Sequence, residues 1–425
     1  MTLIKTSFWT GLSVLIKTVV TFAISKIVAL YTGPVGLAIT EQFQNLLQIV
    51  RTFSGSLIQQ GVVKYVAEYN HDIAVKSRIL SSAAFFCVLV SIVLGIFLLL
   101  FSAEIARLIL QSIIYQKVIV LCAVSIILFS LNSFLLAILN GEREIIKLVS
   151  CNIANTLLSL VMTAYLVIYY GLYGGLIALV CNQSVVLFFT LSLVVRCKWF
   201  TLHSFVGGID LDSLGKLTKY AFITIISTLA VPLSQIIVRN YVASTFSWEE
   251  AGYWQGMMKL SNNYFILIDA TLGVYFLPRF AEICSVSELK KEIIRSYQYL
   301  LPFIIGITMV LFILKREVVM LLYSKQFIPM LFLFKYQLIG DVARIGAWLL
   351  SYVLIAKAMM KTLIVTELSL LLFYPIVTII LVHYFGLIGT SMGFALSYLF
   401  YWALMIFFVM RYTAYASSTD EHKAC

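Results

Sequence analysis

The feature that most constrains this chain is a succession of apolar runs, each about as long as a bilayer is thick, that begins near residue 8 and continues to residue 410. A helix needs roughly 20 apolar residues to cross a hydrocarbon core about 30 Å deep. Runs of that length, separated by clusters of glycine or charge, recur at 8–31, 36–63, 80–101, 118–139, 146–169 and 172–195. A second set follows at 220–243, 253–277, 297–314, 334–356, 363–383 and 387–410. Soluble domains carry roughly 25% charged residues. Here only 12% of the 425 residues are charged and 62% are hydrophobic. The predicted fold class is therefore all-α, a polytopic membrane protein of twelve transmembrane helices.

Basic residues gather on the cytoplasmic side of membrane proteins. With the N-terminus in the cytoplasm, eighteen of the 30 Lys and Arg residues fall at inner ends and loops. The outer loops then hold Arg107, Lys117, Lys315, Arg316, Lys325 and Lys335. An even number of crossings puts the C-terminus in the cytoplasm too, in a bacterial inner membrane. The net charge of +11 is then a topology signal. No soluble basic segment interleaved with aromatics is present, so no nucleic acid partner is expected. The outer segments 104–117 and 315–335 are predicted to lie amphipathically along the interface. The seven cysteines are scattered without metal-ligand spacing, so neither a metal nor another cofactor is expected, and none falls in an outer loop, so no disulfide is expected.

The two halves resemble each other. Gly171-Leu172-Tyr173-Gly174 is followed 215 residues later by Gly386-Leu387-Ile388-Gly389, and Lys26 by Arg239 at 213. An offset that spans six crossings gives both halves the same topology. The expected domains are a six-helix lobe at 1–196, a cytoplasmic linker at 197–219 and a second six-helix lobe at 220–425. Parallel repeats of this kind are a transporter architecture with a substrate path between lobes.

Six basic residues fall inside the predicted spans, namely Lys17, Lys26, Arg51, Arg239, Lys259 and Arg344, with four acids, Glu41, Asp269, Asp341 and Glu367. A charge at the bilayer centre costs at least about 2.5–3.5 kcal/mol. Such residues face a wet cavity, pair, or snorkel to an interface. Glu41, Gln44, Gln48 and Arg51 share one helix face, as do Gln255, Lys259, Asn262 and Asp269. Lys17, Arg51 and Lys259 lie deepest on polar stripes and are weighed toward function. Lys26 and Arg239 sit near outer ends, where snorkelling is the competing reading, and Glu41 also lies near an interface. Arg344 follows Asp341 by three residues, so an ion pair within one helix competes with a ligand site. A cationic cavity lined by amides such as Gln48 and Gln255 suits a phosphate-bearing sugar. The four acids are candidates for ion coupling.

The Lys5/Lys17/Lys26 spacing, the Gly33-Pro34-Val35-Gly36-Leu37 turn, Lys64-Tyr65-Val66-Ala67-Glu68-Tyr69, the segment from Ser247 to Trp254-Gln255-Gly256, and Tyr275-Phe276-Leu277-Pro278 resemble those of Wzx-type flippases. These belong to the multidrug/oligosaccharidyl-lipid/polysaccharide exporter superfamily. The resemblance runs along nearly the whole chain. It implies twelve helices in two lobes and, as substrate, an undecaprenyl-diphosphate-linked oligosaccharide, either an O-antigen unit or the lipid III of enterobacterial common antigen. It also implies movement from the cytoplasmic to the periplasmic leaflet, coupling to an ion gradient, and a polymerase with its chain-length regulator as downstream partners. The alternatives are a multidrug or metabolite antiporter of the same superfamily and a membrane glycosyltransferase or polymerase. Enzymes of the last kind need larger extramembrane loops than this sequence provides, so no catalysis is expected.

Overall fold

The computed structural model describes residues 3–69, 72–197, 199–200, 208, 210 and 221–418. Every regular element among them is helical. In lipid each backbone N–H and C=O must be satisfied within its own segment, and the helix does this without an edge. Most of the expected linker at 197–219 lies outside the described residues.

The first half contains α1 (Leu3–Arg51), α2 (Leu57–Glu68), α3 (Ile73–Leu100), α4 (Ser102–Leu110), α5 (Gln116–Gly141) and α6 (Ile145–Val194). The second contains α7 (Ala221–Thr245), α8 (Trp248–Glu282), α9 (Val286–Ile313), α10 (Lys315–Leu322), α11 (Phe334–Ala356), α12 (Met360–Phe385) and α13 (Ile388–Ser418). Among the described residues, eight continuous helical stretches are long and apolar enough to cross a membrane. Two of these, at 45 and 50 residues, are twice the length a crossing needs. Each is broken once, at Gly33 (φ 65°) in α1 and at Gly171 (φ 58°) in α6. An L-residue in that conformation costs roughly 1–2 kcal/mol, which is why glycine stands at both breaks. The breaks fall where the apolar runs 8–31 and 36–63, and 146–169 and 172–195, meet. The runs at 220–243 and 253–277 are occupied by the further helices α7 and α8.

Helix ends follow from local chemistry. Ser247 caps α8 by accepting from the Glu250 N–H at 3.1 Å, with Glu249 and Glu250 in the first turn. Those acids sit at the positive end of the helix dipole. Asp72 caps α3 by accepting from Val75 N–H at 3.1 Å. Between α1 and α2 a π-helical turn at Thr52–Ser56 keeps the helix continuous with one residue in excess. The segments predicted to lie along the interface contain the short helices α4 and α10. In α4 the residues Ser102, Ala106 and Leu110 are buried along one side.

By contact the chain divides into one compact unit of residues 1–32 and 39–236 and another of residues 33–38 and 237–425. In the first, α5 is the hub, packing against α2, α3 and α6. Ile58 and Val62 of α2, Leu80 and Ala83 of α3 and Ile138 of α5 meet in its core. In the second, α11 is the hub against α8, α9 and α13, with Leu349, Val353, Phe280 and Met405 buried together. The roles differ sharply along the chain: 61% of the α11 stretch is buried and only 11% of α12. Outward positions such as Leu100, Leu372 and Ile380 are apolar and exposed, as lipid contact requires.

The 215-residue offset recurs in the backbone. Gly386, like Gly171, has a left-handed φ (69°). Arg143 (φ 58°) and Ala358 (φ 54°) repeat it at the turn before α6 and before α12. A Cβ on Gly174 would lie 2.0 Å from the Leu166 carbonyl oxygen, and one on Gly389 would lie 2.3 Å from that of Leu381. Close backbone approach at small residues is how membrane helices pack. The cysteines Cys87, Cys122, Cys151, Cys181 and Cys197 are free thiols. Cys284 corrects the expectation of no disulfide, for it is disulfide-bonded. It lies just beyond the end of α8, where cysteine spacing in the sequence carries no signal of pairing.

Gly174→Val and Gly389→Val are each expected to abolish accumulation of folded protein. Gly306→Ala, which meets nothing within 4 Å, is expected to leave it unchanged. Monodisperse yield after detergent extraction, read by size-exclusion chromatography, checks all three.

Candidate functional site

The most concentrated polar chemistry among the described residues lies in the second compact unit, on α8, α11, α12 and α13. Asp341 on α11 is fully buried. Its carboxylate accepts hydrogen bonds from the hydroxyls of Ser261 and Tyr264, one on each oxygen. Arg344, one turn further along α11, donates from Nη1 to the Asn262 side-chain oxygen at 2.8 Å. Its guanidinium carbon lies 4.4 Å from the Phe265 ring centre, 4.5 Å from that of Trp348 and 5.5 Å from that of Tyr398. The i,i+3 spacing of Asp341 and Arg344 predicts an ion pair, but the structure gives each its own partners on α8. The pairing fails because Ser261, Asn262, Tyr264 and Phe265 crowd the contact with α11 and supply hydroxyl, amide and ring at closer range.

The other cations of this unit are held similarly. Arg239 on α7 is 0% exposed. It donates to the Gln255 side-chain oxygen and lies 5.6 Å from the Trp254 ring. Cation–π contacts of this kind are worth about 2 kcal/mol when desolvated. Lys259, one turn beyond Gln255 on α8, is buried. Glu367 lies on the outer side of α12, where its carboxylate accepts from the Tyr401 hydroxyl at 3.2 Å. Asp269 is exposed and accepts from the Tyr352 hydroxyl at 2.8 Å. The sequence-predicted Gln255, Lys259, Asn262 and Asp269 therefore lie on one helix, but only Asn262 joins Asp341 and Arg344.

In the first compact unit the predicted residues differ in burial. Lys17 is exposed and Lys26 and Glu41 are half-buried on α1. Gln48 is exposed. Arg51 turns toward α5, with its guanidinium carbon 5.6 Å from the Phe129 ring and its Nε buried without a hydrogen-bond partner. The buried amides lie beside the predicted stripe, not on it. Gln42 is fully buried, and Asn45 donates to Gln235 at 3.2 Å. Ser261, Tyr264, Trp348, Tyr398 and Tyr401 were absent from the sequence-predicted set. Trp348 meets Arg344 on its own helix, whereas Ser261, Tyr264, Tyr398 and Tyr401 meet their charged partners across helices, and their own positions give no sign of that.

A wholly buried carboxylate held by two hydroxyls can take up a proton or a small cation, and buried guanidinium groups favour anions. Together, the all-helical fold and its eight described stretches long and apolar enough to cross a membrane define a polytopic membrane protein. The fold is that of solved exporters. An inward-facing multidrug resistance MATE family transporter of the MOP superfamily matches with a TM-score of 0.81 at 12% identity, over 95% of this chain and 96% of that one. The lipid II flippase MurJ matches with a TM-score of 0.73 at 15% identity, over 96% of this chain and 87% of that one. Residues 3–284 match the polysaccharide biosynthesis protein family, and the chain belongs to that family. It is similar to the lipid III flippases of Escherichia coli K12 and Shigella flexneri, at 27% identity over 95% of this chain and 97% of each of theirs.

A hydrogen bond to an ionised acceptor is worth about 1.5–3 kcal/mol, whereas neutral interhelical pairs in membranes average about 0.6 kcal/mol. A double-mutant cycle of Tyr264→Phe with Asp341→Asn, read by chemical unfolding in detergent, is expected to give a coupling energy above about 1 kcal/mol. A coupling near zero would show that the hydroxyl does not serve the carboxylate.

Proposed function

We propose that this protein is a lipid-linked oligosaccharide flippase and not an enzyme. The observation that carries this reading is the match, over nearly the full length of both chains, to two lipid III flippases. The substrate is an undecaprenyl-diphosphate-linked repeat unit of common-antigen or O-antigen type. On this reading the chain crosses the bacterial inner membrane twelve times, with both termini cytoplasmic and lobes at 1–196 and 220–425 joined by the 197–219 linker. The repeated glycine geometry at Gly171/Gly386 and Gly174/Gly389 supports two lobes of equal topology. A polymerase and its chain-length regulator take the product on the periplasmic side.

The basic residues Lys17, Lys26, Arg51, Arg239, Lys259 and Arg344, with Gln48 and Gln255, are the candidate substrate contacts. Their division by burial supports different roles. Lys17 and Gln48 are exposed and suited to meet a diphosphate or a sugar hydroxyl directly. Arg239 and Arg344 have partners within their own unit and set the positive potential that a diphosphate meets. Of the acids Glu41, Asp269, Asp341 and Glu367, we assign ion coupling to Asp341, because it alone among the four is fully buried. The MATE-like fold keeps the antiporter reading in view. The excess of buried cations disfavours a cationic substrate.

In a strain lacking its own lipid III flippase and compensating flippases, the intact protein is expected to restore surface polymer. Lys17→Ala and Lys259→Ala, at equal membrane abundance, are expected to lower it at least tenfold. Asp341→Asn is expected to remove the dependence of transport on the ion gradient. Failure to restore polymer with either common-antigen or O-antigen substrates, together with efflux of a cationic dye, would overturn the flippase reading in favour of the antiporter.

A further inference from the structure

A second feature of the C-terminal unit lies away from the buried polar cluster. A cavity of about 780 Å³ opens between α8 and α9, with Tyr275, Arg279, Glu292, Arg295, Tyr299 and Phe303 in its lining. Residues 283–285 join the two helices, and the ion pairs of Arg279 set the level at which they meet. Arg279 Nη2 lies 3.5 Å from a Glu292 carboxylate oxygen and 3.8 Å from one of Glu288. Arg279, Glu292 and Arg295 therefore form a charged mouth at one level. Phe303 follows Arg295 by eight residues, which is about 12 Å further along the helix axis. The walls over that distance are aromatic, and they face outward: Tyr275 is 58% exposed, Tyr299 70% and Phe303 62%.

A charged mouth above an outward-facing apolar trough about 12 Å deep is the cross-section of a bilayer lipid. Arg279 and Glu292 satisfy each other in part. Arg295 is exposed and makes no hydrogen bond or ion pair among the described residues, which leaves its guanidinium to a phosphate oxygen. Lys290 and Lys291 flank the mouth on the same helix and are exposed, and they add to the positive balance against Glu282, Glu288 and Glu292. Basic pockets between membrane helices hold anionic head groups, and tyrosine suits the level where chain gives way to head group. We propose that this groove is a binding site for one anionic glycerophospholipid of the surrounding bilayer, with its phosphate on Arg295 and the mouth of Arg279, and an acyl chain along Tyr299 and Phe303.

Native mass spectrometry of the full-length protein in detergent tests this, with phosphatidylglycerol and phosphatidylethanolamine of matched chains as probes. The intact protein is expected to retain one phosphatidylglycerol, and at least fivefold less phosphatidylethanolamine. Arg295→Gln is expected to reduce the phosphatidylglycerol adduct at least fivefold, and the pair Tyr299→Ala/Phe303→Ala at least threefold. Lys290→Gln/Lys291→Gln removes charge outside the cavity and should reduce it less than twofold. Arg295 holds nothing else in place, so its variant should keep the melting temperature of the intact protein. Adducts that survive both cavity variants, equal retention of the zwitterionic lipid, or an equal loss from the lysine control would overturn the proposal. So would displacement of phosphatidylglycerol by equimolar undecaprenyl diphosphate, which would assign the groove to a polyprenyl substrate.

Discussion

Water is absent from the middle of a bilayer, and the structure follows from that absence. Each backbone amide must close on its own helix, so the described chain has no regular element but helix. The places where the backbone departs from helical geometry are few and specific. Gly33 and Gly171 interrupt α1 and α6, and Gly386 separates α12 from α13. Each is a glycine with a left-handed φ, which turns the chain in one residue and leaves few amides without a partner. Where the second half makes the turn that Gly33-Pro34 makes in the first, it uses Ser247 as a helix cap instead. Two different local solutions meet the same requirement.

The same constraint acts on side chains and yields pairs that a soluble protein would not need. Asp341 has a hydroxyl for each oxygen, Arg344 has an amide and three rings, and Arg239 has an amide and an indole. The arginines could not be lysines at equal cost. A guanidinium is planar and weakly hydrated, so it can lie against a ring while its edge donates to an amide. An ammonium is a strongly hydrated point charge and loses more on leaving water. Both the hub helix α11 and its neighbour α8 are thus fixed by polar contacts as well as by the apolar core that surrounds them.

The all-helical character and the glycine breaks were legible in the sequence because each depends on residues close together. A run of 20 apolar residues is a local signal, and so is Gly171-Leu172-Tyr173-Gly174. The periodic stripe on α8 was legible for the same reason, and Asn262 on it accepts from Arg344. Partnership across helices was not legible. Tyr264 meets Asp341 from 77 positions away, and Tyr401 meets Glu367 from 34. Nothing in a tyrosine's own surroundings distinguishes one that serves a carboxylate from one that faces lipid. Of the two readings open for Asp341 and Arg344, each group has its own partners on α8: spacing along one helix says which groups can meet, while the neighbouring helix decides which do.

Burial then separates the cations into two kinds with different consequences. A cation that already has fixed partners, as Arg239 and Arg344 do, offers a passing anion its field but few free donors. Breaking those contacts to release donors would leave Gln255 or Asn262 without a partner in a medium where an unmatched polar group costs roughly 1–3 kcal/mol. An exposed cation such as Lys17 gives up only water. A carrier of phosphate across a membrane needs both kinds, because a site that bound the anion with every cation at once would hold it too tightly to release. On the flippase reading, the fixed guanidinium groups lower the barrier for the charge, and an exposed ammonium makes and breaks the direct contact. On the flippase reading, exchanging the roles by loosening Arg344 would strengthen binding and slow turnover, the opposite of what loss of Lys17 would do.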